Sequence, residues 1–268
     1  MPDPEFHSGH APETLIICRH GHYPTNAKTF GAWAVGDALP DIPDLETDAT
    51  MPLDAKGQEQ SQRFGAFMVE HFPDLRTVLS SDWLRAVQTA QHISKVYETN
   101  GRDPLSISTS DALHERNRGI YRGMPKAWLE TQPDYLTYLE SPTTWIPNQH
   151  GKPEERGETL LQKATALRRA VTTFSNNIPS VATLPQQPLL VTTHGEVVGG
   201  AAMIAFGGFG DDQLKRPLPG NNEWMPRTVA NCQASIFTDF ENGLYRSFMA
   251  VDASKEILRI TDMVEINT

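Results

Sequence analysis

The stretch Leu15-Ile16-Ile17-Cys18-Arg19-His20-Gly21 joins a short apolar run to three residues of a different chemical character. Apolar runs bounded by polar or turn residues are typical of strands buried on both faces of a parallel sheet. Two further runs, 77–79 and 189–191, have the same character. An open α/β sheet binds its ligands beyond the carboxyl ends of its strands. We therefore expect a cation, a nucleophile and a small residue to meet at this binding edge.

Helical periodicity lies between these runs. Apolar residues recur at spacings of three and four over 64–72, 86–97 and 160–174, which is typical of helices that pack on a core. Strands that alternate with helices predict an α/β fold, here a three-layer α/β/α sandwich with a mostly parallel central sheet. We predict a disordered tail over 1–12 and a single domain over 13–268. Long loops are predicted at about 22–52, 124–156 and 207–228, where periodicity is lost.

Composition limits the class of partner. The chain has 268 residues and a net charge of −10, which argues against nucleic acid or an anionic membrane but allows a small anionic substrate. The first ten residues hold no apolar segment, so no signal peptide is visible, and the least polar stretch, 197–210, is short and glycine-rich. We expect a cytoplasmic protein. Cys18 and Cys232 are predicted to be two buried thiols rather than a disulfide.

Residues of the same chemical types, a histidine and an arginine, also follow the other two predicted strands. The third run continues into Thr192-Thr193-His194-Gly195, so a second His-Gly pair closes a predicted buried strand. The second run continues into Ser80-Ser81-Asp82-Trp83-Leu84-Arg85, with the arginine at the start of a helix. Two histidines and two arginines are therefore expected to meet at one edge of the sheet.

Four motifs in this order resemble the histidine phosphatase superfamily, most closely the branch of cofactor-dependent phosphoglycerate mutases and broad-specificity phosphatases. They are Arg-His-Gly at 19–21, Ser-Ser-x-x-x-Arg-Ala-x-Gln-Thr-Ala at 80–90, Leu-x-Glu-x-x-x-Gly-x-x-x-Gly at 113–123, and His-Gly at 194–195. The resemblance extends from about residue 14 to residue 250. It implies a phosphoglycerate mutase-like fold and an enzyme that carries a phosphoryl group on His20.

The resemblance also implies roles for individual residues. His20 would attack phosphorus while neutral, with its other ring nitrogen donating to a backbone carbonyl. His194 would be protonated and would add a positive charge beside the transferring group. The implied catalytic residues are His20, Glu115, Arg19, Arg85 and His194. The implied phosphate-binding residues are Arg19, Asn26, Arg85, His194 and Gly195.

The leaving alkoxide needs a proton and the phosphoenzyme needs an activated water, and one carboxyl group can serve both steps. The resemblance places this role on Glu115. Glu196 is an alternative, because acid phosphatases of the superfamily carry an aspartate directly after the second histidine. This chain has Gly195 at that position, which weakens the alternative. Glu158 opens a helix, where it would cap the helix or steer the substrate.

Hydrolysis and mutase-type transfer share this chemistry. Lys126, eleven residues after Glu115, matches the mutases, but the stretch 134–140 lacks the paired arginine that they carry. We predict a phosphomonoester hydrolase of a small phosphorylated substrate; a phosphoglycerate mutase and a non-catalytic phospholigand-binding module are the alternatives. No cofactor and no metal are expected, since the tail histidines His7 and His10 are poor candidates for ligands beside His20 and His22. The expected substrate-pocket residues are His22, Tyr23, Arg118, Arg122, Lys126 and Glu196.

Overall fold

A computed structural model describes most of the predicted core. The described residues are 11–23, 49–117, 119, 131–132, 141, 143–146, 152, 156–177, 187–210, 214, 231–241, 244–252, 259–260 and 264–265. The predicted tail over 1–12 and the three predicted loops fall largely outside these residues. Both predictions, and the single domain over 13–268, therefore stay predictions.

Eight strands form one sheet, in the order β3-β2-β4-β1-β5-β6-β7, with β8 paired to β6. The first four strands of this order, β3, β2, β4 and β1, are parallel to one another, and β5 to β8 extend the sheet from β1 in antiparallel fashion. The strands are β1 Leu15–Arg19, β2 Thr77–Ser81, β3 Ser106–Ser110, β4 Leu189–Thr193, β5 Gln233–Glu241, β6 Leu244–Asp252, β7 Arg259–Ile260 and β8 Val264–Glu265.

Helices cover both faces of the sheet, which confirms the predicted three-layer α/β fold. They are α1 Ala55–His71, α2 Leu84–Thr99, α3 Leu160–Asn177 and α4 Ala202–Gly207, with a short 3₁₀ turn at Asp111–Leu113 and a wide π-type turn at Val197–Ala201 leading into α4. Leu15 and Ile17 of β1 join the core beneath α3 and α4. Ile16 and Cys18 join the core beneath α1 and α2, as the alternation of side chains along a strand requires.

The described helices follow the predicted apolar stripes. In α1 the buried residues include Phe64, Phe67 and Met68, and the Asp54 side chain caps the helix by accepting a hydrogen bond from the Gly57 N–H at 2.9 Å. Tyr97 of α2 is fully buried and its hydroxyl donates to the Met68 carbonyl at 2.9 Å, which joins α2 to α1. Cys18 and Cys232 are both buried and free, as predicted. None of the described helices is long and apolar enough to cross a bilayer.

Topology positions the site. Because β2, β4 and β1 are neighbours and parallel, the residues that follow Ser81, Thr193 and Arg19 emerge at the same edge of the sheet. The His20 N–H donates to the Thr193 carbonyl at 2.8 Å, so the β1–β4 ladder continues into the first motif.

Candidate active site

His20 lies at the carboxyl end of β1 with only 2% of its surface exposed. Its Nδ1 lies 2.8 Å from the Gly21 carbonyl, so Nδ1 carries the proton and Nε2 holds the lone pair. Burial lowers the pKa of His20 well below its usual value, and the positive charges of Arg85 and Arg19 lower it further. The imidazole is therefore neutral, as the sequence predicts for a nucleophile.

The two glycines beside His20 are required by a close approach of two backbones. A Cβ at Gly21 would lie 2.5 Å from the Gly57 carbonyl oxygen, and a Cβ at Gly57 would lie 2.0 Å from the His22 carbonyl oxygen. The Gly21 N–H donates to Thr89 Oγ1 at 3.0 Å, and Asn231 Nδ2 donates to the Gly21 carbonyl at 3.1 Å. The backbone that carries the nucleophile is thus held by α1, α2 and the start of β5.

Arg85 lies in the first turn of α2 and is 2% exposed. Its Nε donates to His20 Nε2 at 3.1 Å, and its Nη2 lies 3.4 Å from His194 Nδ1. The guanidinium carbon lies 4.6 Å from the centre of the Tyr23 ring and 4.5 Å from that of Trp83. Such contacts with two ring faces are attractive and limit the rotation of the guanidinium group. Arg85 is therefore aimed at the nitrogen that would attack phosphorus.

Arg19 and Gly195 lie in contact at the same edge of the sheet. A Cβ at Gly195 would lie 3.3 Å from Arg19 Cζ, which shows that the guanidinium packs directly over this glycine. Burial lowers the pKa of Arg19, while the negative charge of Glu115 opposes that shift. An arginine nevertheless remains protonated near neutral pH, so Arg19 adds a second fixed cation at the sheet edge.

His194 is fully buried, and its ring centre lies 5.1 Å from that of His20. Its Nε2 is 3.0 Å from Ser81 Oγ, at the end of β2. Burial lowers the pKa of His194 well below its usual value, with smaller contributions from Arg85 and His20. Burial and the nearby arginine therefore favour the neutral ring, and the predicted protonation of His194 beside a phosphate dianion stays a prediction. A phosphate dianion beside it would favour the protonated form again.

Glu115 follows the 3₁₀ turn and lies against the start of the helical segment after β4. One carboxylate oxygen accepts from the Gly195 N–H at 3.1 Å, and the other accepts from the Glu196 N–H at 3.3 Å and the Arg116 N–H at 3.2 Å. The first turn of a helix stabilises a negative charge. Glu115 thus lies beside Gly195 and is electrostatically coupled to Arg19, as a partner of the phosphate site requires.

Glu196 is paired with Arg116. Arg116 Nε donates to Glu196 Oε2 at 2.8 Å and Arg116 Nη2 donates to Glu196 Oε1 at 3.1 Å, with both side chains almost fully buried. The predicted place of Glu196 in the substrate pocket, and the alternative that makes it the general acid, stay predictions. Glu158 lies 3.8 Å from Lys163 Nζ and is partly exposed.

His22 and Tyr23 lie close to His20, and their predicted place in the substrate pocket stays a prediction. His22 Nδ1 is 2.6 Å from Asp54 Oδ2, and the His22 backbone N–H donates to Gln60 Oε1 at 2.9 Å. The ring of Tyr23 meets that of His20 edge-on, with centres 5.3 Å apart. These contacts fix the loop after β1 at its first two residues. Asn26, Arg118, Arg122 and Lys126 lie outside the described residues, and their predicted roles stay predictions.

Sequence reasoning missed several residues that build the site. Trp83 contacts both Arg85 and His194, with ring centres 4.7 Å apart in the second case, and Ser81 bonds to His194. Both lie inside the Ser-Ser-x-x-x-Arg motif, but only its arginine had been assigned a role in the site. Arg116 was missed because nothing local shows which carboxylate it meets 80 residues later. Within the described part of the chain, no three His, Cys, Asp or Glu side chains are grouped so that they could hold a metal ion.

Comparison with known structures supports the fold. A phosphoglycerate mutase from Bacillus anthracis is 20% identical, with 88% of this chain and 92% of that chain covered and a TM-score of 0.59. A mycobacterial glucosyl-3-phosphoglycerate phosphatase with bound VO3 is 19% identical over 84% and 92% of the chains, with a TM-score of 0.57. A putative alpha-ribazole-5'-P phosphatase from Escherichia coli is 17% identical over 96% and 99%, with a TM-score of 0.55.

No curated protein matches the sequence. The family model of the histidine phosphatase superfamily, branch 1, matches residues 15–224, a range that contains His20, Arg85, Glu115 and His194. The chain belongs to branch 1 of the histidine phosphatase superfamily.

Proposed function

We propose that this chain is a metal-independent phosphomonoester hydrolase that forms a phosphohistidine on His20 and uses Glu115 as general acid and then general base. The observation that carries the proposal is the orientation of His20. Its Nδ1 proton is donated to the Gly21 carbonyl, and its Nε2 lone pair faces the Arg85 guanidinium at 3.1 Å. In-line attack on phosphorus requires a neutral nitrogen with a free lone pair, and an arginine beside Nε2 supports the proposal because it could bind the phosphate oxygens next to that nitrogen.

The charges around His20 suit a phosphate dianion. Arg19 and Arg85 supply two guanidinium groups at the same sheet edge, and His194 gains a proton as negative charge approaches. Fixed donors aimed at the equatorial oxygens stabilise the transition state because they need no reorganisation. In the second step water attacks the phosphohistidine, the P–N bond breaks, and inorganic phosphate leaves while His20 is restored.

Glu115 lies where it could transfer the proton. Its carboxylate lies against the N–H groups of Gly195 and Glu196, next to the glycine on which Arg19 packs. As acid it would protonate the leaving oxygen when the P–O bond breaks. As base it would take a proton from the attacking water. A small phosphorylated molecule is the proposed substrate.

The test compares leaving groups that differ in their need for a proton. In Glu115→Gln we expect kcat/KM for an alkyl phosphate to fall by about 10²- to 10⁴-fold. For p-nitrophenyl phosphate it should fall far less, because nitrophenolate leaves without a proton. The parameter kcat/KM is used because it covers only the steps up to formation of the phosphoenzyme, so loss of the base does not enter.

Glu158→Gln is the matched control, since Glu158 is a second described glutamate beside Lys163. A selective loss in Glu158→Gln, or equal losses on both substrates in Glu115→Gln, would move the acid role away from Glu115. Parallel assays of inorganic phosphate and of 2-phosphoglycerate, with 3-phosphoglycerate as substrate, separate hydrolysis from mutase-type transfer.

A further inference from the structure

We infer that Arg116 and Glu196 form a positioning pair that holds the carboxylate of Glu115 at the phosphate site, a role that rests on the proposed acid and base function of Glu115. Each member of the pair is the chain neighbour of a residue in the site. Arg116 follows Glu115, and Glu196 follows Gly195, on which Arg19 packs.

The pair has the geometry of a rigid link. Its two hydrogen bonds, 2.8 Å and 3.1 Å long, run in parallel from one guanidinium to one carboxylate. The two side chains are 1% and 4% exposed, so water does not compete for the contact. A two-pronged contact of this kind fixes orientation as well as distance. It ties the loop after the 3₁₀ turn to the start of the helical segment after β4, two segments that are 80 residues apart in the chain.

The position of the Glu115 carboxylate depends on the distance between these same two segments. Its carboxylate accepts from the backbone N–H groups of Gly195 and Glu196 on one segment and of Arg116 on the other. If the segments move apart, these bonds lengthen and the carboxylate leaves its position beside Arg19. A displacement of about 1 Å in an active site can cost about 100-fold in rate.

Charge gives the pair a second effect on Glu115. The carboxylate of Glu115 is electrostatically coupled to two cations, Arg19 and Lys163. Glu196 neutralises a third cation, Arg116, whose backbone N–H already bonds to Glu115. Without Glu196 the charge of Arg116 would favour the ionised form of Glu115, which cannot donate a proton. The pair therefore influences both where Glu115 lies and whether it can act as an acid.

Stability alone does not require such a pair. Replacing a buried ion pair with apolar residues of similar volume is often neutral or stabilising, whereas removing one partner is costly. A structural role and a positioning role thus predict different results for the same substitutions, and the choice of substrate separates them.

The experiment measures kcat/KM of Glu196→Gln for an alkyl phosphate and for p-nitrophenyl phosphate across the pH range. We expect a fall of about 10- to 100-fold with the alkyl phosphate, the range found when partners that orient a functional group are removed. With p-nitrophenyl phosphate we expect a fall of less than about 3-fold, since no proton is needed there. The alkaline limb of the alkyl phosphate profile should move to lower pH, because loss of the Glu196 charge leaves the positive charge of Arg116 to favour ionised Glu115.

Glu241→Gln is the matched control, because Glu241 pairs with Arg246 at 3.2 Å on the exposed hairpin of β5 and β6. It should retain the wild-type profile on both substrates. If Glu196→Gln lowers kcat/KM for both substrates by one common factor and leaves the alkaline limb of the pH profile in place, the pair is structural only and the inference is wrong.

A second variant tests whether a loss of activity in Glu196→Gln comes from misfolding. Arg116→Met combined with Glu196→Leu removes both charges, and we expect a folded protein with the same selective loss on the alkyl phosphate. Wild-type rates on both substrates would overturn the inference, and so would failure of both variants to fold, since the pair would then be needed for folding itself.

Measuring Glu115→Gln in parallel separates the proposed acid role of Glu115 from the proposed positioning role of the Arg116–Glu196 pair. If Glu115→Gln is selective for the alkyl phosphate and Glu196→Gln is not, only the positioning role is wrong. If Glu115→Gln is not selective, the acid assignment is wrong and the positioning role is lost with it.

Discussion

Two buried neutral histidines should make this protein sensitive to mild acid. The pKa values of His20 and His194 are lowered in the folded state, first by burial and then by Arg85. In the unfolded chain each histidine titrates near 6.5. Below that pH the unfolded chain binds more protons than the folded chain, so the free energy of unfolding falls as the pH falls. Between pH 7.5 and 5.5 each histidine should contribute roughly 1 to 2 kcal/mol to this loss, or about 3 kcal/mol together.

The assay is urea denaturation at pH 7.5 and at pH 5.5, for the wild type and for His20→Asn. Asparagine retains a donor for the Gly21 carbonyl but does not titrate. We expect the variant to lose about half of the pH dependence that the two histidines supply. The control is Leu161→Asn, at an exposed position of α3, which should retain the wild-type dependence because neither residue titrates. An unchanged pH dependence in His20→Asn would refute the claim that burial holds the nucleophile neutral.

Three substitutions test the surroundings of His20. Gly57→Ala should destabilise the protein by about 1 to 3 kcal/mol in urea denaturation, although alanine favours helices, because its Cβ would lie 2.0 Å from the His22 carbonyl oxygen; a neutral or stabilised variant would contradict the close approach. Arg85→Lys should lower kcat/KM for p-nitrophenyl phosphate by about 10²- to 10³-fold, since lysine lacks the fork that faces His20; near-wild-type turnover would show that a point charge suffices. Trp83→Leu should raise KM about 3- to 10-fold by freeing the Arg85 guanidinium, with a loss of about 1 kcal/mol of cation–π attraction; an unchanged KM would assign Trp83 to packing alone.

The parallel half of the fold and the meeting of His20 and His194 at one sheet edge could be predicted because their signals are local. The apolar runs mark β1, β2 and β4 as buried strands, and parallel strands place their carboxyl ends together. Each run is followed directly by a residue of the site. Local sequence therefore indicated both the strand and the edge at which its chemistry lies.

The electrostatic states could not be predicted in the same way. The prediction of a cationic His194 followed from the charge of a phosphate, while the structure shows that burial dominates before any anion arrives. Glu196 was weighed as an acid because it follows His194 and Gly195 in the chain. Its actual partner, Arg116, is set by tertiary packing between two distant segments, which spacing along the chain does not reveal.

Covalent labelling of the protein by a ³²P-labelled phosphomonoester, quenched during turnover, tests for the phosphohistidine itself. We expect a label that is stable in base and labile in acid, approaches one phosphate per chain, maps to the peptide that contains His20, and disappears in His20→Ala together with hydrolysis. Hydrolysis that continues at the wild-type rate in His20→Ala, or a label that maps to another residue, would contradict the proposed role of His20.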